Sequence, residues 1–157
     1  MPNEAAVTEL QAVYGPPSDA GMGSGVFRAK VARPEDLEAE ARAQYRHFLG
    51  PLWERFGGAA WLAPWAEVHR RAPGAPRDIA AELRALTGPG VSSSADMLLE
   101  AAGDAGRARR ALAGAFDAPD IEQLACYALG DGGAYSGLLV ASRAGDGDGI
   151  FLVFLMD

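Results

Sequence analysis

The segment Ile150–Met156 is apolar at every position, and this constrains the fold more than any other feature of the chain. A strand with one face in water alternates apolar and polar side chains, whereas a strand buried on both faces is apolar throughout. The segment is also far shorter than the roughly 20 residues that a membrane-spanning helix needs. It therefore predicts a strand covered on both sides, with helices on one face and a loop, a helix or a second subunit on the other.

Two further apolar runs, Glu122–Leu129 and Ala134–Ser142, precede this segment. Short connectors of glycine and aspartate, Gly130–Gly133 and Gly145–Gly149, separate the three runs. Such connectors between apolar runs are typical of β-hairpins. The pattern predicts a three-stranded antiparallel meander over about residues 122–157.

The part of the chain before the meander, about residues 1–118, has helical periodicity and predicts about five short to medium helices. The clearest is Pro34–Leu49, which begins with a proline and carries an apolar stripe at steps of three and four residues. The segment Pro51–His69 predicts two shorter helical pieces. We therefore expect a single α+β domain over residues 1–157, with a helical part packed on the meander.

Residues 15–33 predict a flexible loop, because Gly21, Gly23 and Gly25 lie close together in it. The partial alternation of Val26–Val31 favours a short strand inside that loop. Gly21, Gly23 and Gly25 do not make a dinucleotide-binding motif, because Val26 stands where a third glycine of that motif is required.

The chain is acidic, with 14 basic and 21 acidic residues and a net charge of −7. Residues 79–157 carry five basic and eleven acidic residues, a net of −6, so most of the excess lies in the second half. An acidic chain repels nucleic-acid phosphates and anionic membrane surfaces, so neither is an expected partner. The charge favours a basic protein partner instead. Thirteen of the 14 basic residues are arginine, a bias typical of a GC-rich bacterial genome.

Catalytic and metal-binding signatures are sparse. Cys126 is the only cysteine, which excludes an internal disulfide and a cysteine-based zinc site and fits a cytoplasmic protein. The spacing of Asp146 and Asp148 resembles a calcium loop, but Phe151 stands where that loop requires glycine. No cofactor and no metal are expected. The two histidines, His47 and His69, are the available general bases.

Three tryptophans, Trp53, Trp61 and Trp65, lie in a short segment interrupted by Gly57–Gly58 and Pro64. Aromatic groups of this kind belong to the core more often than to a site. Irregular aromatic segments also line ligand pockets and anchor interfaces. The three tryptophans are therefore candidate binding residues as well as core residues.

A second candidate site is the glycine-rich segment 130–137, in which Asp131, Tyr135 and Ser136 lie among four glycines. A hairpin turn needs only one or two glycines, and Gly137 inside a strand indicates a bulge or a close backbone approach. A hairpin turn alone is one explanation of this pattern, and a ligand or partner site is the other.

These observations favour a non-enzymatic bacterial protein-binding module, such as an adaptor, an inhibitor or immunity-type protein, or a regulatory protein. Its partner would be a basic protein or, through the sheet, a second copy in a homodimer. The first alternative is a small-molecule-binding protein with an aromatic pocket lined by tryptophans and Tyr135. The second is a small enzyme that uses His47 or His69, which requires one histidine in a cleft beside a carboxylate, a serine or a cysteine.

Overall fold

A computed structural model describes residues 2–88 and 90–156, in which seven α-helices and five β-strands form. In chain order these are α1 Pro2–Tyr14, β1 Gly23–Lys30, α2 Leu37–Leu49, α3 Pro51–Phe56, α4 Gly58–Leu62, β2 Ala66–Arg70, α5 Ile79–Arg84, α6 Val91–Glu100, α7 Ala105–Phe116, β3 Ile121–Gly130, β4 Ser136–Ala144 and β5 Asp148–Met156. Short 3₁₀ helices lie at Pro34–Asp36 and Ala101–Gly103. None of the helices described is long and apolar enough to cross a membrane.

The five strands form one antiparallel sheet in the order β1-β5-β4-β3-β2. The predicted three-stranded C-terminal meander is therefore wrong. The three predicted strands exist as β3, β4 and β5 and pair in sequence order, but they form only the centre of the sheet. Strand β1 overlaps the short strand predicted at Val26–Val31, β2 comes from a segment predicted as helix, and the two strands flank this centre.

Both edge strands owe their conformation to partners that are distant in sequence. Strand β1 lies within the predicted flexible loop and pairs with β5, where Phe27 lies opposite Phe151. Its partial alternation is a real strand signal, since Val26 and Phe27 are buried on opposite faces of the sheet. Strand β2 follows Pro64 and is half-exposed, so its sequence has no apolar alternation to reveal it.

Helices cover both faces of the sheet. Helices α1, α5, α6 and α7 pack on one face, and α2 to α4 pack on the other. In β5, Ile150 and Leu152 belong to the first apolar cluster, while Phe151, Val153 and Leu155 belong to the second. The prediction that this strand is covered on both sides is confirmed, and helices of the same chain provide the cover on both faces.

The edges of the sheet are also protected. On β1, the N–H of Val26 donates to the carbonyl of Gly15 at 3.0 Å, and the Gln11 side chain donates to the carbonyl of Val26 at 3.3 Å. Strand β2 is five residues long, and its register shifts between Glu67 and His69. Short, charged and irregular edges resist pairing with another sheet. The described strands therefore give little support to self-association through the sheet.

Candidate functional site

A groove of about 460 Å³ lies where β3 ends and β4 begins, and we call it the hairpin groove. Its walls come from Pro64, which follows α4, from the start of α6 and from the β3–β4 hairpin. The lining residues are Pro64, Gly90, Val91, Ala128, Leu129, Gly132, Gly133, Tyr135, Ser136 and Gly137. The volume falls within the range of about 300–1,000 Å³ that is usual for ligand clefts.

The turn beside the groove is held in shape by Asp131. Its carboxylate accepts hydrogen bonds from the N–H of Gly133 at 2.8 Å and from the N–H of Tyr135 at 3.1 Å. Gly130 has a φ of +144°, and a Cβ there would collide with the carbonyl of Tyr135. Asp131 and Gly130 therefore serve the turn, whereas Tyr135 and Ser136 form the wall of the groove.

Aromatic residues brace this wall from behind. The ring of Tyr135 lies 5.4 Å from the ring of Trp61, centroid to centroid. Trp61 is fully buried, and its Nε1 donates to the carbonyl of Leu52 at 2.8 Å. The hydroxyl of Tyr45 donates to the carbonyl of Gly130 at 3.3 Å and accepts from its N–H at 3.2 Å. Burial raises the pKa of Tyr45, so this hydroxyl stays protonated and able to donate.

The other two predicted tryptophans lie away from the groove. Trp65 stacks on Tyr127 at 4.8 Å, and its Nε1 donates to Glu38 at 2.9 Å. Trp53 lies against Gly58, with the Arg46 guanidinium 5.0 Å from its ring. The structure brings Trp61, Asp131, Tyr135 and Ser136 together. It does not gather the three tryptophans around the cavity that the sequence suggested.

The two histidines occupy different environments. His47 is exposed on α2, with its ring 5.3 Å from that of Phe27. His69 lies on β2, and its Nε2 is 2.7 Å from the Glu82 carboxylate. His69 also lies opposite Cys126 in the pairing of β2 with β3. One histidine therefore has the neighbours that the enzyme hypothesis requires.

An ion-pair network also engages the carboxylate beside His69. Glu82 is held by Arg71, with its Oε1 2.5 Å from Nη2, and the same guanidinium contacts Asp117 at 2.9 Å. Burial works to raise the pKa of Glu82, but Arg71 and His69 outweigh it and hold that pKa below its usual value. Burial also raises the pKa of the Cys126 thiol, which is fully buried and a poor nucleophile in that state.

Sequence reasoning missed this charge cluster, in which Arg71, Glu82 and Asp117 join β2 to α5 and to the end of α7. No local pattern marks it, because its members are 11 and 46 residues apart and each resembles an ordinary surface charge. Within residues 2–88 and 90–156, no group of three or more histidine, cysteine, aspartate or glutamate side chains could hold a metal ion.

The chain was compared with family models, with curated proteins and with solved structures, and it matches none of them.

Proposed function

We propose that the chain is a non-enzymatic protein-binding module and that its hairpin groove receives a short segment of a partner protein. The observation that carries this proposal is the chemistry of the lining. Among the described residues, none that lines the groove has an imidazole, carboxyl, amino or thiol group, and the hydroxyls of Tyr135 and Ser136 are the only polar side-chain groups in the lining. General acid–base catalysis relies most often on histidine, a carboxylate or lysine, and a serine or tyrosine hydroxyl needs such a base beside it to act as a nucleophile. The groove is therefore suited to binding.

The lining also suits a peptide segment. Gly90, Gly132, Gly133 and Gly137 line the groove without side chains, so an extended peptide can approach the backbone there. Pro64, Val91 and Leu129 supply apolar contacts. The wall is preformed, because Trp61 and Asp131 hold Tyr135 in place, and a preformed wall lowers the entropic cost of binding. The net charge of −7 favours a basic partner.

Native mass spectrometry of the full chain, purified gently from the cells that express it, tests the proposal. The variant Ser136→Phe places a bulky side chain in the wall of the groove, and Thr8→Phe adds the same ring on the exposed face of α1 as a matched control. We expect the wild type and Thr8→Phe to retain a basic protein that Ser136→Phe loses. Equal retention by all three chains, or retention by none, would contradict the proposal. Circular dichroism checks that each variant is folded.

A small-molecule ligand is the second candidate, because the groove has the volume of a ligand cleft and Tyr135 offers an aromatic wall. The native mass spectra described above distinguish a small-molecule ligand from a protein partner. If a small molecule stays bound to the wild type and to Thr8→Phe but is absent from Ser136→Phe, the occupant of the groove is a metabolite and not a protein segment.

A further inference from the structure

A second groove lies at the other end of α6. Two adjoining cavities of about 280 and 190 Å³ share Val13 and Ala101 and lie between the end of α1, the end of α6 and β5. Together we call them the α1–α6 groove. Tyr14, Leu98 and Phe154 are among the side chains that line it. It is therefore distinct from the hairpin groove, which lies beside the beginning of α6.

Met97 forms the exposed rim of this groove. It is 50% exposed, although the residues that follow it in α6, Leu98 and Leu99, are buried. Beneath it the floor is fixed, because the hydroxyl of Tyr14 donates to the carbonyl of Leu98 at 2.5 Å. A flexible, polarisable methionine over a fixed apolar floor suits a surface that adapts to an apolar side chain of a partner.

The charge beside Met97 is negative. Asp96 and Glu100 are one helical turn apart on α6, both are exposed, and neither forms an ion pair with the residues that the structure describes. The nearby guanidinium of Arg107 is neutralised by Glu9, with Nε 2.8 Å from the carboxylate. Asp104 also lines the groove, and Arg110 lies near Glu9, so the charges of Glu9, Asp104, Arg107 and Arg110 sum to zero. The excess negative charge near Met97 therefore comes from Asp96 and Glu100 on α6.

We infer that the α1–α6 groove docks a basic amphipathic segment of a partner protein. An apolar side chain of that segment would pack on Met97 and Phe154, and its lysines or arginines would lie beside Asp96 and Glu100. Charge complementarity selects this occupant, since a second copy of the chain would bring another net charge of −7 to the same carboxylates.

This inference depends on the proposed function for the class of partner, and it adds a second surface. Gly90 and Val91 line the hairpin groove, and Met97 lines the α1–α6 groove, about 10 Å away along the helix. A partner that occupied both grooves would therefore lie along the exposed side of α6.

Fluorescence anisotropy with a labelled synthetic peptide of leucine and lysine in a helical amphipathic pattern tests the inference. A scrambled peptide of the same composition is the control probe. We expect the wild type to bind the amphipathic peptide about tenfold more tightly than the scrambled one. We also expect this binding to weaken as the salt concentration rises.

The charge-reversal variant Asp96→Lys/Glu100→Lys tests the acidic rim. The matched control is Glu35→Lys/Glu54→Lys, which changes the net charge equally at exposed positions outside the groove. We expect the first variant to lose about tenfold in affinity and the control to remain within about twofold of the wild type. Met97→Gln tests the apolar contact and should weaken binding about fivefold.

Three outcomes would overturn the inference: equal binding of both peptides, equal losses in both charge-reversal variants, or a dimer in light scattering that Asp96→Lys/Glu100→Lys dissociates. The last would assign the groove to a second copy of the chain. The two proposals can also fail separately. If Ser136→Phe releases a natural partner while Asp96→Lys/Glu100→Lys retains it and binds the amphipathic peptide as well as the wild type does, the proposed function stands and the second surface is wrong.

Discussion

The two hairpin turns of the sheet have nearly the same sequence signal and very different surroundings. Both are rich in glycine and aspartate, and in each an aspartate carboxylate accepts the N–H of the second residue after it. Asp131 does so from Gly133 at 2.8 Å, and Asp146 does so from Asp148 at 3.0 Å. As local structures the two turns are close equivalents.

Their difference lies in what packs beside them. The β4–β5 turn is closed by the end of β1, because Lys30 contacts the Asp148 carboxylate at 2.7 Å and Val31 donates to the carbonyl of Gly147 at 2.7 Å. The β3–β4 turn borders the hairpin groove instead. The comparison teaches that aspartate and glycine specify the turn, whereas distant elements decide whether it becomes a closed corner or the wall of a site.

The largest expected effect comes from the glycine just after each turn. A Cβ on Gly137 would lie 2.0 Å from the backbone carbonyl of Phe154. A Cβ on Gly149 would lie 2.8 Å from the side chains of Phe151 and Val31 and 2.9 Å from the backbone carbonyl of Ala29. We expect Gly137→Ala to lower the free energy of unfolding by about 3 kcal/mol and Gly149→Ala by about 1–2 kcal/mol, because the overlap with backbone is much deeper at Gly137.

Urea denaturation followed by circular dichroism measures both variants. The control is Gly145→Ala, whose Cβ would lie 2.9 Å from the exposed, flexible carboxylate of Glu122, so its effect should stay below about 0.5 kcal/mol. A Gly149→Ala variant less stable than Gly137→Ala would reverse the predicted order.

The next effect concerns the two turn aspartates. Asp131→Ala removes two backbone hydrogen bonds, one of them partly buried, whereas Asp146→Ala removes one exposed hydrogen bond. We expect losses in unfolding free energy of about 1–2 and about 0.5–1 kcal/mol, respectively. Amide hydrogen exchange gives a local readout, because Asp131→Ala should speed exchange at Tyr135. Unchanged exchange there would show that Asp131 does not hold the wall of the groove.

The smallest expected effect is a pH dependence of the unfolding free energy that arises at the β4–β5 turn. The hydrogen bond from Lys30 holds the pKa of Asp148 below its usual value in the folded protein. Asp148 therefore contributes stability above its unfolded pKa, near 4, and this contribution is lost as the pH falls through the folded pKa. Lys30 is largely exposed, so we expect less than about 1 kcal/mol.

The measurement is the unfolding free energy of the wild type and of Asp148→Asn between about pH 7 and pH 3. The stability difference between the two proteins should shrink as the pH falls. A difference that stayed constant across this range would show that the ion pair with Lys30 has no part in closing the β4–β5 turn.

The fold was predictable where a pattern is local. Helix α2 has an apolar stripe along one face, and β5 is apolar throughout, so both were found with nearly correct bounds. Strand β2 was missed because its residues are half-exposed, and their strand conformation comes from pairing with β3 more than 50 residues later.

The residues of the candidate site were likewise predictable only where a local pattern marks them. Asp131, Tyr135 and Ser136 were singled out because an excess of glycine and polar residues marks their turn, and Tyr135 and Ser136 line the hairpin groove. The contributions of Pro64 and Gly90 to the same groove left no local mark, since they reach it only when α4 and α6 pack on opposite faces of the sheet.

The sequence alone established that β5 is covered on both sides and that two hairpins precede its end. These conclusions depend on side-chain hydrophobicity and turn chemistry, which act between near neighbours. Only the tertiary structure decided the order of the five strands, the pairing of Arg71 with Glu82 and Asp117, and the opening of one turn onto a groove. These features depend on contacts between residues that are distant in sequence. The pattern of apolar residues along the chain indicates which residues are buried, but it does not indicate which distant element buries them.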